Sequence, residues 1–271
     1  MASSLGVPAS AVITASALSA LLLTTASAQV RILMMIPSRP YDLWRRQAVQ
    51  KYAGRSFLAF RPAFDGTRLH DGAPQFMDYV KHPVLMYGLH IIPSVLWSIA
   101  APLQLSADVR KMSPAAHRWL GTAFLLSSLS LAGSAASMHA MGVGAGRRSI
   151  VMRVFVYSLA IWFIYTGWRA YDAARKHKYV VHRLWVMRHV AAGYTVGMQR
   201  VFLLVAILLA NTGLYTSSKS GEAMYAKERS TFVVVSILGF IASFSAMEYH
   251  WLPQLQQQQQ SKKSDSPSDK Y

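Results

Sequence analysis

The sequence contains no cysteine in 271 residues. That excludes disulfides, iron–sulfur clusters, thiolate zinc sites and covalent C-x-x-C-H haem attachment. Acidic residues are scarce as well, 11 against 28 Lys and Arg. None falls in the middle of a long apolar segment, so no pair of intramembrane carboxylates is present to relay protons. The H-E-x-x-H, P-loop and G-x-S-x-G patterns are also missing. No standard catalytic constellation is left, and the residues do not decide whether the chain is an enzyme.

A formal net charge of +17 would point a soluble protein toward nucleic acid. Here the cations sit at the ends of apolar blocks and in loops, where they anchor helices and meet anionic headgroups. No aromatic–basic recognition module accompanies them, so nucleic acid is not an expected partner. The lipid bilayer is.

What the chain has in quantity is apolar sequence, 53% of all residues, gathered into blocks of nearly bilayer length. A helix crosses the roughly 30 Å of hydrocarbon with about 20 residues. These runs lack the alternation of a barrel strand. The expected fold is therefore all-α: a multi-pass integral membrane bundle of five to six spans around a four-helix core, in a membrane the residues do not name. The firm spans are read at 84–105, 117–141, 150–171, 183–212 and 231–247, within a bundle covering 84–250. Residues 1–30 carry no charge and read as a further N-terminal helix, with a cleaved signal or organelle-targeting segment as alternatives. Residues 31–83 form a basic, proline-punctuated connector with an interfacial helix near 41–53, and 251–271 form a polar, disordered tail. Pro93 and Pro102 predict a kink or broken end in the 84–105 span.

The nine histidines sort by membrane side once the spans are drawn. His117, His182, His189 and His250 fall near one face; His82, His90 and His139 fall near the other. His70 and His177 are in loops. In the fifth span His182, His189, Gly193, Gly197 and Arg200 recur at helical spacing and share one side. The G-x-x-x-G of Gly193 and Gly197 either brings another helix close or makes room for a flat ligand. Neutral imidazoles from two facing helices are a common way to hold b-type haem in a bundle. His117 with His182 or His189 are the candidate metal ligands, and Arg118, Arg183 and Arg188 are the candidate partners of the propionates. His90 and His139 are the candidates for a second cofactor site. Arg200, a cation well inside a span, is expected to face the bundle interior or a wet cavity, and Gln104 is a candidate to share a ligand with it.

Four strings occur in order: Pro102-Leu103-Gln104-Leu105, His117-Arg118-Trp119-Leu120-Gly121, His182-Arg183-Leu184-Trp185-Val186-Met187-Arg188, and Gln199-Arg200. Together they resemble a family of predicted membrane proteins of unknown function, the DUF group numbered 2306. The resemblance covers about residues 84–210 and implies a compact four-helix unit with H-R-W-L-G and H-R-x-W-M-x-R strings. This chain departs from the second string by placing Val186 between Trp185 and Met187. A looser likeness is to the diheme cytochromes b of the ascorbate-reducible type. The fourth span, 150–171, has no histidine, which makes a single haem the better version of that likeness.

Three functional expectations follow. The first is a haem b redox component passing electrons to a partner such as a quinone. The second is a transporter or lipid/anion-binding module built on Arg200 and the histidine face. The third is a non-catalytic membrane component whose motifs only orient helices.

Overall fold

The computed structural model describes residues 7, 9–33, 82–143, 149–211 and 221–257. Most of the basic connector, with its expected helix near 41–53 and His70, lies outside the described residues, as do residues 258–271 of the expected 251–271 tail; its first part, 251–257, is helical instead, with Leu252 and Leu255 buried in the core. The described chain is helical throughout: α1 (Ala9–Leu33), α2 (Val84–Leu105), α3 (Ala107–Met112), α4 (Pro114–Ala140), α5 (Ile150–Arg175), α6 (Tyr179–Asn211) and α7 (Gly221–Ser245), the last continuing through a wide π turn at Ala246–Trp251.

Local chemistry sets the helix boundaries. Ser106, Ser113 and Ser149 cap α3, α4 and α5, accepting from the backbone N–H of Val109, Ala116 and Met152 at 3.4, 3.2 and 3.2 Å. Each satisfies one of the donors that a helix start leaves unpaired. The α5–α6 hairpin closes on His177, held at φ 54°. Its N–H reaches the Ala174 carbonyl and that of Lys178 reaches Ala173, the bonding of a Schellman stop with histidine where glycine is usual. His177 Nδ1 lies 2.9 Å from the Tyr179 hydroxyl, so this histidine belongs to the turn.

The α2 helix shows how the bundle absorbs a proline. Its first part, Val84–Ile91, is π-wound, and the Ile92 N–H reaches back to the Tyr87 carbonyl. Pro93 cannot donate to Leu89 four residues earlier, and its ring crowds that carbonyl. The freed Leu89 oxygen instead accepts from the Ser130 hydroxyl of α4 at 2.8 Å. The prolines therefore leave α2 continuous to Leu105 and widened rather than broken. Ser130→Ala is expected to lower stability by about 1 kcal/mol, because it orphans that carbonyl. Thermal unfolding of the purified protein in detergent would show this as a fall of roughly 2–4 °C.

Helices α1, α2, α4, α5 and α6 pack in that order as a closed ring, with α6 returning to α1, and α7 lies against the outside of α6. The inward sides carry the core, including Ala11, Ala15, Trp97, Phe124, Phe163, Met187 and Tyr194. The outward sides carry apolar stripes at helical spacing: Ile92, Leu96, Ile99 and Leu103 on α2, Ile150, Val154, Ile161 and Trp168 on α5, and Val234, Leu238 and Ile241 on α7, all exposed. A soluble protein rarely exposes continuous apolar faces of this extent. Among the described residues four helices, Val84–Leu105, Pro114–Ala140, Ile150–Arg175 and Ser230–Gln257, are long and apolar enough to cross a membrane. The apolar part of α1, Ala9–Leu23, is shorter. At 33 residues, α6 is about 50 Å long.

Candidate functional site

The middle of the ring is filled by aromatic side chains. Trp97 of α2 stacks on Phe124 of α4 with ring centres 5.3 Å apart, lies 6.1 Å from Phe163 of α5 and meets Tyr194 of α6 edge-on at 5.1 Å. The two α6 glycines make this packing work. A Cβ on Gly193 would collide with the Trp97 indole, and one on Gly197 would meet Leu18 of α1 at 3.4 Å. The G-x-x-x-G space is thus taken by protein side chains, which is the helix-packing meaning of the motif. Alongside, the Ser19 and Tyr194 hydroxyls join α1 to α6 at 2.6 Å.

His189, 1% exposed, ties three helices together. Its Nδ1 lies 3.0 Å from the Phe163 carbonyl and 3.1 Å from the Thr166 hydroxyl on α5, and its Nε2 lies 2.8 Å from the Ser128 hydroxyl on α4. A carbonyl can only accept, so Nδ1 carries the proton, and in the neutral ring Nε2 accepts from Ser128. The imidazole stacks on Phe163 at 4.2 Å and 5° and meets Phe124 edge-on. Gly167 makes room for it, since a Cβ there would come within 3.1 Å of Cε1. Both ring nitrogens are engaged by the protein. His189 is a packing and hydrogen-bonding centre, with no nitrogen left for a metal in this arrangement.

Two helical turns from His189, a polar cluster forms at the end of the ring where α4 and α6 begin. His117 lies in the first turn of α4 and His182 in the first turn of α6. The two imidazoles lie within electrostatic reach of each other. The charge of Arg110, on α3, acts on His117, His182 and Arg183 together. His182 is oriented by its Nδ1, which donates to the Ala170 carbonyl at 2.8 Å. Gln104 of α2 donates to the His117 carbonyl at 2.9 Å, and its amide rests against Gly121. Three nitrogens of the cluster are buried without a hydrogen-bond partner: Arg110 Nη2, His117 Nδ1 and Arg183 Nη1. Two guanidiniums and two imidazoles therefore lie within electrostatic reach of one another, with three of their nitrogens left unpartnered.

The remaining sequence candidates are dispersed. Arg188 forms a two-point ion pair with Glu248, at 2.8 and 3.2 Å, and packs against Trp185, so its guanidinium is committed within the protein. Arg118 is exposed. Arg200 stands at the opposite end of α6, 18 residues beyond His182 and so about 27 Å away. There its charge acts on His90, whose Nδ1 lies 3.0 Å from the Ser134 hydroxyl. Gln104 and Arg200 are thus at opposite ends of the bundle and cannot share a small ligand. His139 is buried with Nδ1 unpartnered. It sits five residues past Ser134, roughly 140° around the helix, and no hydrogen bond or ring contact joins it to His90 among the described residues.

Arg110 was not among the expected site residues. It sits in a short polar stretch between two spans, and only the fold of α3 between α2 and α4 turns it over the ring. The available signal was the pair of capping serines, Ser106 and Ser113, which bracket a helix too short to be a span. Among the described residues no group of three or more His, Cys, Asp or Glu could hold a metal ion.

One sequence family matches the chain, described as "Predicted membrane protein (DUF2306)", over residues 87–249, more than half of its length. No curated protein matches. No solved structure matches either.

Proposed function

Since the chain belongs to the DUF2306 family of predicted membrane proteins, a description that names no reaction, we propose a function from its site: this multi-pass membrane protein binds an anion at one end of its helical ring. The observation that carries the proposal is the set of three buried, unpartnered nitrogens on Arg110, His117 and Arg183, from three helices, two of them guanidinium donors and the third able to donate in one tautomer. Buried N–H groups without acceptors are costly, and two neighbouring guanidiniums repel each other. A bound anion relieves both penalties at once.

The proposal has a sign that a merely structural cluster would not share. Arg110→Gln removes like-charge repulsion, so at low ionic strength it is expected to leave the melting temperature unchanged or slightly raised. Sulfate should stabilise the unmodified protein by mass action, on the order of 2–3 kcal/mol at 100 times its dissociation constant. In Arg110→Gln only the non-specific effect of that salt should remain. Equal sulfate responses in the two proteins would sink the proposal.

A second reading is favoured by the same two imidazoles. His117 and His182 come from different helices and His117 Nδ1 is unengaged, an arrangement suited to b-type haem, with Arg110 and Arg183 available to its propionates. Haem would supply electron transfer, and a quinone would be a suitable acceptor. His189 plays no part in this version. A Soret band lost in His117→Ala and in His182→Ala is the expected result; a protein that stays colourless after haem supplementation ends it.

A further inference from the structure

The number and placement of the unpartnered nitrogens say more about the anion. A carboxylate offers two oxygens in one plane. Here three unpartnered nitrogens come from α3, α4 and α6, two of them guanidinium donors and the third an imidazole Nδ1 that donates in one tautomer, enough for three oxygens of a tetrahedral group. The charge argues the same way. Arg110 and Arg183 are both cations, and neither has an ion pair among the described residues: Asp172 is held by Lys176 at 2.8 Å and Glu248 by Arg188 at 2.8 Å, while Asp108 sits in the first turn of α3 without an ion-pair partner. A dianion balances two guanidiniums where a monoanion leaves one uncompensated. The starts of α4 and α6 add the positive ends of two helix dipoles, each with its histidine in the first turn.

The setting of the cluster is that of a headgroup layer. Met112 and Trp119, which flank it on α3 and α4, are 85% and 78% exposed, and Tyr179 at the start of α6 is exposed too. Tryptophan, tyrosine and basic residues at helix ends mark the membrane boundary. Phosphoryl groups reach such a site from two sources, the lipid headgroups beside it and phosphate or its monoesters in the adjoining water.

The geometry points to a phosphoryl group, the dianionic phosphomonoester of a lipid headgroup or of a soluble phosphate, as the anion held by Arg110, His117 and Arg183. This rests on the anion-binding function proposed above and specifies its chemistry.

The test uses the full chain purified in delipidating detergent. Its thermal unfolding is followed with inorganic phosphate and with acetate at matched ionic strength, alongside Arg110→Gln and Arg183→Lys. A parallel arm compares nanodiscs of phosphatidic acid in phosphatidylcholine with phosphatidylcholine alone. Phosphate is expected to raise the unfolding temperature by several degrees, acetate by less than a third of that, and Arg110→Gln to remove the difference. Arg183→Lys keeps the charge but loses the planar fork, so it should weaken phosphate roughly tenfold while still folding. Stabilisation by phosphatidic acid without inorganic phosphate assigns the site to lipid; the reverse assigns it to a soluble phosphate. If acetate matches phosphate and both responses vanish in Arg110→Gln, the site binds anions but the phosphoryl assignment falls. If neither anion nor phosphatidic acid acts, or if their effects persist in Arg110→Gln, both proposals fall.

Discussion

His189→Ala is expected to cost on the order of 4 kcal/mol. Two effects add. A ring that is 1% exposed, stacked on Phe163 and met edge-on by Phe124 leaves a cavity when it is removed, and such truncations cost about 2–5 kcal/mol. Its hydrogen bonds to α4 and α5 go as well. The polar loss is the smaller part, because each hydroxyl has an acceptor on its own helix: Ser128 reaches the Phe124 carbonyl at 2.8 Å and Thr166 the Trp162 carbonyl at 2.9 Å. His189→Phe, which keeps the stacked ring, should therefore recover more than half of the loss. Unfolding in detergent measures both, with a fall of about 10 °C expected for alanine. Equal destabilisation by alanine and phenylalanine would show that hydrogen bonding, not packing, makes His189 indispensable.

Gly239→Ala is expected to cost about 3 kcal/mol, although it adds one methyl group. A Cβ at Gly239 would lie 2.7 Å from the Gln199 nitrogen and 2.8 Å from the Thr195 carbonyl oxygen of α6. These are backbone atoms of a helix packed on both sides, and no rotamer change can move them. The methyl must push α7 outward, which also strains the 2.5 Å bond from Gln199 to Ser236 beside it. Overpacking in a rigid setting costs about 1–3 kcal/mol and occasionally more. Gly133 is the internal control. A Cβ there meets nothing within 4 Å, so Gly133→Ala is expected to be neutral or to stabilise by up to about 1 kcal/mol through helix propensity. A Gly239→Ala protein melting with Gly133→Ala, rather than well below it, would contradict the close approach of α7 to α6.

The parts of the site that were legible in the sequence differ from those that were not in a physical way. His117 and His182 were legible because each begins a span, and the antiparallel order of spans places two such starts on the same face. His189 was legible as a residue of that helix side but not in its role. Its neighbours Ser128 and Thr166 are 61 and 23 positions away in the chain, and no period of one helix reveals which hydroxyls a neighbouring helix will offer. Arg188 illustrates the same limit. Its partner Glu248 is 60 residues distant, and an acid just past the end of an apolar run reads as a boundary marker, not as the counter-charge of another span.

By itself, the sequence determined that this protein is a multi-pass bundle of membrane helices, because length, apolarity and the distribution of charge along one segment decide whether that segment enters hydrocarbon. It also determined, through the absence of cysteine and of paired intramembrane carboxylates, which chemistries have no residues to perform them. Only the tertiary structure decided which polar groups are spent and which are left over. It gave His189 to Ser128, Thr166 and Phe163, filled the space beside Gly193 and Gly197 with Trp97 and Leu18, and turned Arg110 over the end of the ring. The reason is that partnering depends on distances between helices, set by which side chains interdigitate, and one helix's sequence does not contain the shape of its neighbour.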